Sequence, residues 1–282
     1  MGSTLKQADF EGQAYQPQED VYFDDGREIA LLHFMYGHPR LEELRGNPQK
    51  VLDAIDEYGR TKKYLMNIGE YKSKTVVELI QKEKPQVMLE LGGYVGYSAI
   101  AFGAAVREAG GKRYFSLEKS PEFGAVISML VELAGLGDVV KVVVGSSSDS
   151  LRRLHQTGQL RHIDLLFLDH YKPLYTEDLK LCEELELVGP GSVYAADNGA
   201  RRIISSFVNA NSHLPVVKPG NPPYLAYVRS TVEQKRSKAS GAEGAGPKGR
   251  PDLVYDSKFV EGWEPSGVPD ALEITRCVRV ES

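Results

Sequence analysis

The chain has 282 residues, of which 41% are hydrophobic and 26% charged, and its formal net charge is -5. This composition is typical of a globular protein with a sizeable core, and the lack of a dominant basic run argues against nucleic acid as a partner. Two cysteines, neither in a C-x-x-C pair, argue against a disulfide scaffold or a thiolate zinc site. Since the N-terminus lacks a signal-peptide core and no apolar run is long enough to span a membrane, we expect a cytoplasmic protein without a membrane partner.

The first part of the chain predicts a mobile segment followed by helices. Residues 1–27 are largely polar and are predicted to form a mobile lead-in. From residue 28 to about residue 80, apolar side chains recur at helical spacing, as in Val51, Ile55 and Tyr58. This pattern predicts a helical cap before the first strand.

Five short apolar runs alternate with helix-like stretches in the middle of the chain. They cover residues 87–91, 113–118, 139–144, 163–168 and 192–196. The alternation predicts βαβ units, in which helices cover both faces of a parallel sheet. Ligands of open α/β sheets bind at the carboxyl ends of the strands, near the point where the strand order reverses. The residues directly after each strand are therefore the candidates for a functional site.

The C-terminal part has a different composition. Residues 233–251 are rich in Gly, Ser, Ala and Lys and predict a flexible surface loop. Two further apolar runs, 253–260 and 272–280, predict a closing antiparallel pair of strands. The sequence thus predicts one α/β domain over residues 28–282, with a mostly parallel, seven-stranded sheet.

A glycine-rich turn follows the first predicted strand. Gly92, Gly93 and Gly96 would let the backbone turn tightly and approach a ligand closely, although a purely structural strand-to-helix turn is the alternative. Glu118, at the end of the second strand, is spaced to accept hydrogen bonds from ribose hydroxyls. Glu90, just before the glycines, would repel a pyrophosphate. The pattern therefore favours a nucleoside cofactor with an amino acid tail over NAD.

Hard oxygen ligands follow the fourth and fifth predicted strands. Asp169 comes after the fourth, and Asp197 and Asn198 come after the fifth. Carboxylate and amide oxygens suit magnesium or calcium, although Asp169 alone could be a helix N-cap. Lys172 lies close to these ligands in sequence and is either a general base or a solvated surface lysine. His170 fits a cofactor or packing contact better than a metal ligand, because the other ligands are oxygens.

These segments together resemble the catechol O-methyltransferase family over residues 33–280. The resemblance is carried, in the family's order, by VLDAIDEYGRTKKYLMNIGEYKSK, MLELGGYVGYSAIA, SLEKSP, VVVGSSSDSL, LLFLDHYK, AADN and PGNPPYLAYVRS. It implies a Rossmann-like S-adenosylmethionine-dependent methyltransferase fold. It also implies that the protein transfers a methyl group to one hydroxyl of a small-molecule catechol bound to Mg2+. We further expect a monomer.

The resemblance implies a role for each matched residue. The residues implied to bind S-adenosylmethionine are Met66, Ile68, Glu90, Gly92, Tyr94, Ser98, Glu118, Ser147, Ser148, Asp169, His170 and Tyr171. Those implied to bind Mg2+ are Asp169, Asp197 and Asn198. Those implied to contact the substrate are Tyr64, Lys172, Asn198 and Pro219, with Lys172 as the general base. Lys72 matches a lysine of the family's cap, but the match gives it no role.

Two aromatic positions depart from the family pattern. Tyr64 and Tyr171 stand where the family usually has Trp. Because both keep an aromatic face, we expect altered substrate walls rather than lost function. The family also places a glutamate near the second hydroxyl of the catechol, and the sequence of residues 253–264 does not identify its equivalent.

The largest departure is an insertion of residues 199–215, directly after Asn198. Deleting it restores the family's spacing to Pro219. One hypothesis is a retained intron, which transcript sequencing across the segment would test. A translated insert could displace Asn198 or form a lid over the catechol. Two alternative functions follow: another cation-dependent O-methyltransferase, of the phenylpropanoid type, or an S-adenosylmethionine-binding protein that the insertion has disabled.

Overall fold

The computed structural model describes residues 5–6, 9–17, 25–197, 200–202, 217–219, 221–240 and 246–282. For residues 200–202 and 217–219 the description is limited to the backbone. Asn198 and most of the predicted insertion lie outside the described residues.

Seven of the described strands form one mixed sheet. The strands in chain order are β1 (Val87–Leu91), β2 (Arg113–Glu118), β3 (Val140–Val144), β4 (Leu165–Leu168), β5 (Val193–Ala196), β6 (Ala200–Arg202), β7 (Val217–Pro219), β8 (Leu253–Trp263) and β9 (Pro269–Val280). The large sheet has the order β3-β2-β1-β4-β5-β9-β8, in which β1 to β5 are parallel and β9 is antiparallel to both of its neighbours. The predicted seven-stranded, mostly parallel sheet with a closing antiparallel pair is therefore confirmed.

Helices cover both faces of this sheet, as the alternation of apolar runs predicts. The described α-helices are α1 (Arg27–Tyr36), α2 (Leu41–Leu44), α3 (Pro48–Thr61), α4 (Gly69–Glu83), α5 (Tyr97–Glu108), α6 (Pro121–Leu133), α7 (Ser147–Gln156), α8 (Tyr175–Glu184), α9 (Pro222–Val228) and α10 (Val232–Ser240). The first six contribute to one hydrophobic core, and α7, α8 and α9 contribute to a second core on the opposite face. None of the described helices combines the length and apolarity that a membrane crossing requires.

The side-chain alternation of the central strand supplies both cores. Met88 of β1 belongs to the core that packs against α3 to α6, and Leu89 and Leu91 belong to the core on the other face. This is the period of two that a strand imposes. Glu90 consequently points to the same face as Met88 and is fully buried there.

Part of the predicted lead-in packs against the cap. Tyr15 is buried, its hydroxyl donates a hydrogen bond to Asp56 of α3, and its ring lies against Gly59. The backbone N–H of Tyr15 donates to the carbonyl of Pro265 at 3.0 Å. Residues 9–17 therefore bridge the cap and the turn between β8 and β9. The domain is predicted to start at residue 28, and α1 begins at Arg27.

The structure differs from the prediction over the first half of the segment 233–251. Residues up to Ser240 belong to α10, because Glu, Gln, Lys, Arg and Ala are good helix formers. Lys235 anchors this helix. Its ammonium donates to the carbonyl of Leu253 at 2.8 Å and lies 3.7 Å from the ring centroid of Tyr255.

Strands β6 and β7 form a separate antiparallel pair. Ala200 is opposite Pro219, and Arg202 is opposite Val217. Because these strands pair, Arg202 and Val217 lie side by side, and the chain between them begins and ends at the same place. The predicted insertion thus enters and leaves the domain next to the end of β5.

We expect Gly92→Ala to destabilise the fold more than Gly110→Ala. Both glycines have positive φ angles, +92° and +83°, which cost an alanine about 1–2 kcal/mol. A Cβ atom on Gly92 would also lie 2.4 Å from the carbonyl oxygen of Asp169, whereas a Cβ on Gly110 meets nothing within 4 Å. Denaturant unfolding of the two variants measures the difference in the free energy of unfolding. Equal losses of this free energy would contradict the close approach of Gly92 to the Asp169 carbonyl.

Candidate active site

A cavity of about 540 Å³ opens at the carboxyl edge of the sheet, where β1 and β4 diverge. The strand order reverses at this point, because β2 and β3 lie on one side of β1 and β4 and β5 on the other. The predicted site residues that line the cavity are Tyr64, Met66, Ile68, Gly92, Tyr94, Ser98, Glu118, Ser147, Asp169, His170, Tyr171, Lys172 and Asp197. The structure thus brings together residues from both halves of the sheet.

Two described site residues, Glu90 and Ser148, do not line this cavity, and the side chains of two others are outside the description. Glu90 lies beneath the glycine-rich turn, and Ser148 lies beside Ser147 in the first turn of α7. Asn198 lies outside the described residues. The backbone of Pro219 is in β7, and its side chain is outside the description.

Hydrogen bonds to Glu118 fix the shape of the glycine-rich turn. One carboxylate oxygen of Glu118 accepts from the backbone N–H groups of Gly93 and Tyr94, at 3.2 and 3.0 Å. The other oxygen accepts from the N–H of Ser120 at 2.8 Å. The oxygen that accepts from Ser120 keeps a further lone pair for a ligand hydroxyl. Glu118 therefore holds the end of β2 against the turn and presents acceptors to the cavity.

Glu90 is a buried carboxylate without a hydrogen-bond partner of ordinary geometry among the described residues. Burial raises the pKa of Glu90 to about 7, although the nearby hydroxyls of Ser116, Ser98 and Tyr114 lower it in part. A cationic ligand group beside this carboxylate would offset the burial. Both of its oxygens therefore fit the ammonium of an amino acid tail, which is the cofactor part that the sequence predicts here.

A buried aspartate organises the opposite end of the cavity. Asp178 of α8 lies 2.8 Å from Nε2 of His170 and accepts a hydrogen bond from the Ser147 hydroxyl at 2.6 Å. The ring of His170 stacks on Tyr175, with 4.9 Å between centroids and 13° between planes. Sequence reasoning missed Asp178 and Tyr175. They hold the ring of His170 in place as a polar part of the cavity wall. This position is compatible with the cofactor or packing contact expected from the sequence.

The carboxylates of Asp169 and Asp197 share the floor of the cavity. Burial raises the pKa of Asp169 well above its usual range, and the negative charge of Asp197 raises it further. Within the residues that the structure describes, no hydrogen bond or ion pair engages the Asp169 carboxylate. Two adjacent carboxylates in a buried position suit a divalent cation, which prefers hard oxygen ligands. The described part of the predicted magnesium set therefore fits that ion.

Lys72 of the cap makes a charge cluster that sequence reasoning did not anticipate. Its side chain has no exposed surface, and its ammonium lies 2.7 Å from Asp197, 3.0 Å from Glu264 and 2.6 Å from Asp270. Burial alone would lower the pKa of Lys72, but the three carboxylates raise it well above its usual value. The lysine is therefore a permanent cation at the edge of the cavity.

The acidic partners of Lys72 differ in charge. Burial raises the pKa of Glu264 to about 8, and the neighbouring Asp270 and Asp197 contribute to the rise although Lys72 opposes it. Burial would also raise the pKa of Asp270, but Lys72 and a hydrogen bond from Glu264 lower it overall. The protonated form of Glu264 and the charged form of Asp270 are thus the favoured ones. The acidic group that lines the cavity beside Asp197 is therefore Glu264.

Two tyrosines stand where aromatic substrate walls are predicted. Tyr64 is buried, and its carbonyl accepts a hydrogen bond of 2.8 Å from the Arg27 guanidinium. Tyr171 is 71% exposed and therefore forms the rim of the cavity instead of a packed wall. Lys172 follows it, and its carbonyl accepts from the Asn221 side chain at 2.8 Å, which fixes the short 3-10 turn that carries the lysine.

Comparisons with known proteins agree with this architecture. A family model described as a methyltransferase domain matches residues 89–199. Catechol O-methyltransferase of Bos taurus is 34% identical over 214 residues, which cover 76% of this chain and 70% of the relative. The Mus musculus enzyme of the same name is 32% identical over 216 residues, covering 77% of this chain and 73% of the relative. This chain belongs to the catechol O-methyltransferase family.

The fold is also that of solved O-methyltransferases. The O-methyltransferase TomG of Streptomyces achromogenes, solved in complex with SAM, superposes with a TM-score of 0.54 at 19% identity, covering 91% of this chain and all of TomG. The family and the Rossmann-like fold predicted from the sequence are thus confirmed. So is the enzyme class, an S-adenosylmethionine-dependent O-methyltransferase.

We expect Glu90→Gln to change the pH dependence of stability. Because the pKa of Glu90 is about 7 in the folded protein against an ordinary 4.5, the folded state holds this proton more tightly. The resulting stabilisation is complete below pH 4.5 and is lost as the pH rises to 7. Glutamine does not ionise, so the variant should gain about 2–3 kcal/mol relative to the parent protein between pH 5 and pH 8.

Denaturant unfolding of the cofactor-free protein at both pH values measures this gain. Glu108→Gln, at an exposed site at the end of α5, is the matched control and should show no such gain. A pH-independent difference between Glu90→Gln and the parent would contradict the raised pKa.

Proposed function

We propose that this enzyme transfers the methyl group of S-adenosylmethionine to one hydroxyl of a catechol bound to Mg2+. The observation that carries the proposal is that one cavity holds Lys172 together with two carboxylates, Asp169 and Asp197, and opens above Glu90 and Glu118. A methyl donor and a chelating diol would therefore meet within a single enclosed space. The names of the mammalian relatives support the choice of a catechol.

The proposed donor subsite uses the ends of β1 and β2. Glu90 would accept the ammonium of the methionine part, Glu118 would accept the ribose hydroxyls, and His170 with Ser147 would face the adenine. Glu90 is a buried carboxylate without a hydrogen-bond partner of ordinary geometry among the described residues. Glu118 keeps acceptor capacity. Asp178 fixes the polar groups of His170 and Ser147. Met66 and Ile68 would close this subsite from the cap, together with Tyr94, Ser98 and Gly92.

The proposed acceptor subsite lies at the ends of β4 and β5. Asp169 and Asp197 would hold Mg2+ together with Asn198. When bound, Mg2+ would favour ionisation of the catechol hydroxyls, and S-adenosylmethionine would supply an electrophilic methyl group. Tyr64 would form an apolar wall, and Tyr171 would lie at the entrance. Pro219 is assigned to this subsite from the family resemblance.

Lys172 is the proposed general base. Its unprotonated amine would accept the proton of the hydroxyl that becomes methylated, so that the phenolate oxygen bonds to the methyl carbon while the carbon–sulfur bond breaks and the donor leaves as a neutral thioether. Asn221 holds the backbone at Lys172 in place. Because methyl transfer requires the oxygen, carbon and sulfur to be in line, fixed positions of the reacting groups account for much of the rate.

Methyl transfer to a simple catechol, with Mg2+ or with a chelator, tests the proposal. We expect Mg2+-dependent product, loss of product in Asp169→Asn, and a fall in kcat of about 10²- to 10⁴-fold in Lys172→Met. Lys112→Met, at an exposed position, is the control and should retain the parent activity. Product that is unaffected by the chelator would refute the metal-bound catechol. Exclusive turnover of phenylpropanoid diols would favour the alternative substrate class.

Deletion of residues 199–215 tests the role of the insertion. The deletion removes β6, but Ala200 near the start of the segment lies opposite Pro219 just after its end, so the points to be joined are already close together. We expect the deletion variant to fold and to bind S-adenosylmethionine like the full chain, as measured by thermal unfolding with and without the donor. Activity that appears only after the deletion would identify the full chain as a disabled donor-binding form.

A further inference from the structure

The ammonium of Lys72 occupies the centre of a three-carboxylate cluster. Ligand atoms of Asp197, Glu264 and Asp270 lie within 4.8 Å of one another, which is a spacing that a metal ion could also bridge. The Lys72 nitrogen lies 2.6–3.0 Å from all three groups. An ammonium has three N–H donors, so each carboxyl group can receive one of them. The positive charge that these carboxyl groups require is already present in the chain.

Two cations would compete for Asp197: the ammonium of Lys72 and the divalent ion of the proposed function. It belongs to this cluster through Lys72, and with Asp169 it belongs to the proposed magnesium set. Because Lys72 reaches Asp197 from the cap helix α4, it approaches from the side of Glu264 and Asp270. The Asp169 carboxylate is outside this arrangement and has no bonded partner within the described ranges. The Lys72 nitrogen lies 2.7 and 3.0 Å from the two carboxylate oxygens of Asp197, so the orientation of this carboxylate depends on the lysine.

We propose that Lys72 is a resident cation that positions Asp197, keeps metal ions out of the Asp197–Glu264–Asp270 cluster and thereby confines the divalent cation to the Asp169 side. This inference rests on the proposed function, because it assumes that the enzyme binds a divalent ion. It makes Lys72 a positioning residue, since the lysine acts through Asp197 and the side chain itself is sealed from the cavity.

Location and charge both support this role over simple packing. An apolar side chain at position 72 would remove the ammonium that contacts Asp197, Glu264 and Asp270, and breaking a buried ion pair from one side is strongly unfavourable. Oxygen ligands from three carboxyl groups would then form a site suited to a hard divalent cation. The lysine thus decides which of two adjacent oxygen clusters can hold the ion.

Mn2+ binding by the full chain, followed by electron paramagnetic resonance, tests the proposal without use of the reaction. The parent protein should bind one ion, and Lys72→Met should bind a second one. Lys74→Met, an exposed position on the same helix, is the matched control and should bind one ion. One ion with unchanged affinity in Lys72→Met would overturn the proposal. Lys72→Arg, which keeps the charge, should bind one ion.

A second pair of variants keeps the test decisive if Lys72→Met does not fold. Asp169→Asn should weaken Mn2+ binding by at least about tenfold, whereas Glu264→Gln should leave it within about twofold. Equal losses of Mn2+ affinity in the two variants would place the ion in the cluster around Lys72. That result would overturn this proposal but leave the proposed function standing. A parent protein that transfers methyl groups but binds no Mn2+ would instead overturn the metal part of the proposed function, and the role of Lys72 with it.

Discussion

The contact between Gly92 and the backbone of Asp169 joins the two halves of the cavity. Gly92 ends β1 with a positive φ, and Asp169 follows the neighbouring strand β4, so that a single Cβ atom at position 92 would collide with the Asp169 carbonyl. Because of this approach, the proposed donor subsite and the proposed metal ligands lie next to each other. A methyl donor placed above the glycine-rich turn therefore faces an acceptor placed above Asp169.

Buried charge is the second constraint on this site. The described structure places Glu90, Asp169, Asp197 and the cluster around Lys72 within or beside one cavity, and burial raises the pKa of several of these carboxyl groups. Lys72 offsets part of this negative charge, through Asp197, Glu264 and Asp270. The remaining carboxylates match the two cationic groups that the proposed reaction requires, the ammonium of the donor and a divalent ion. Ligand binding would thus relieve an unfavourable electrostatic arrangement in the free protein.

Part of the lead-in and the backbone of β6, at the start of the predicted insertion, lie against elements near the site. The insertion starts directly after β5, and the pair β6–β7 closes its base. Residues 9–17 connect the cap to the turn between β8 and β9, through Tyr15 and its contacts with Asp56 and Pro265. That turn also carries Glu264. The lead-in therefore contacts the turn that carries Glu264.

The sequence by itself determined the strands, the glycine-rich turn, the membership of the family and the position of Asp169, Asp197 and Lys172 at strand ends. These features depend on local periodicity and on short motifs, which a linear pattern contains. The tertiary structure alone decided the partners of Lys72, which are 125 and 198 residues away in Asp197 and Asp270, and the anchoring of His170 by Asp178. It also decided that Lys235, within the segment predicted as a loop, lies on a helix and against the ring of Tyr255. Buried ion pairs across the chain have no signature in sequence spacing, since only the packing of the cap on the sheet brings their charges together.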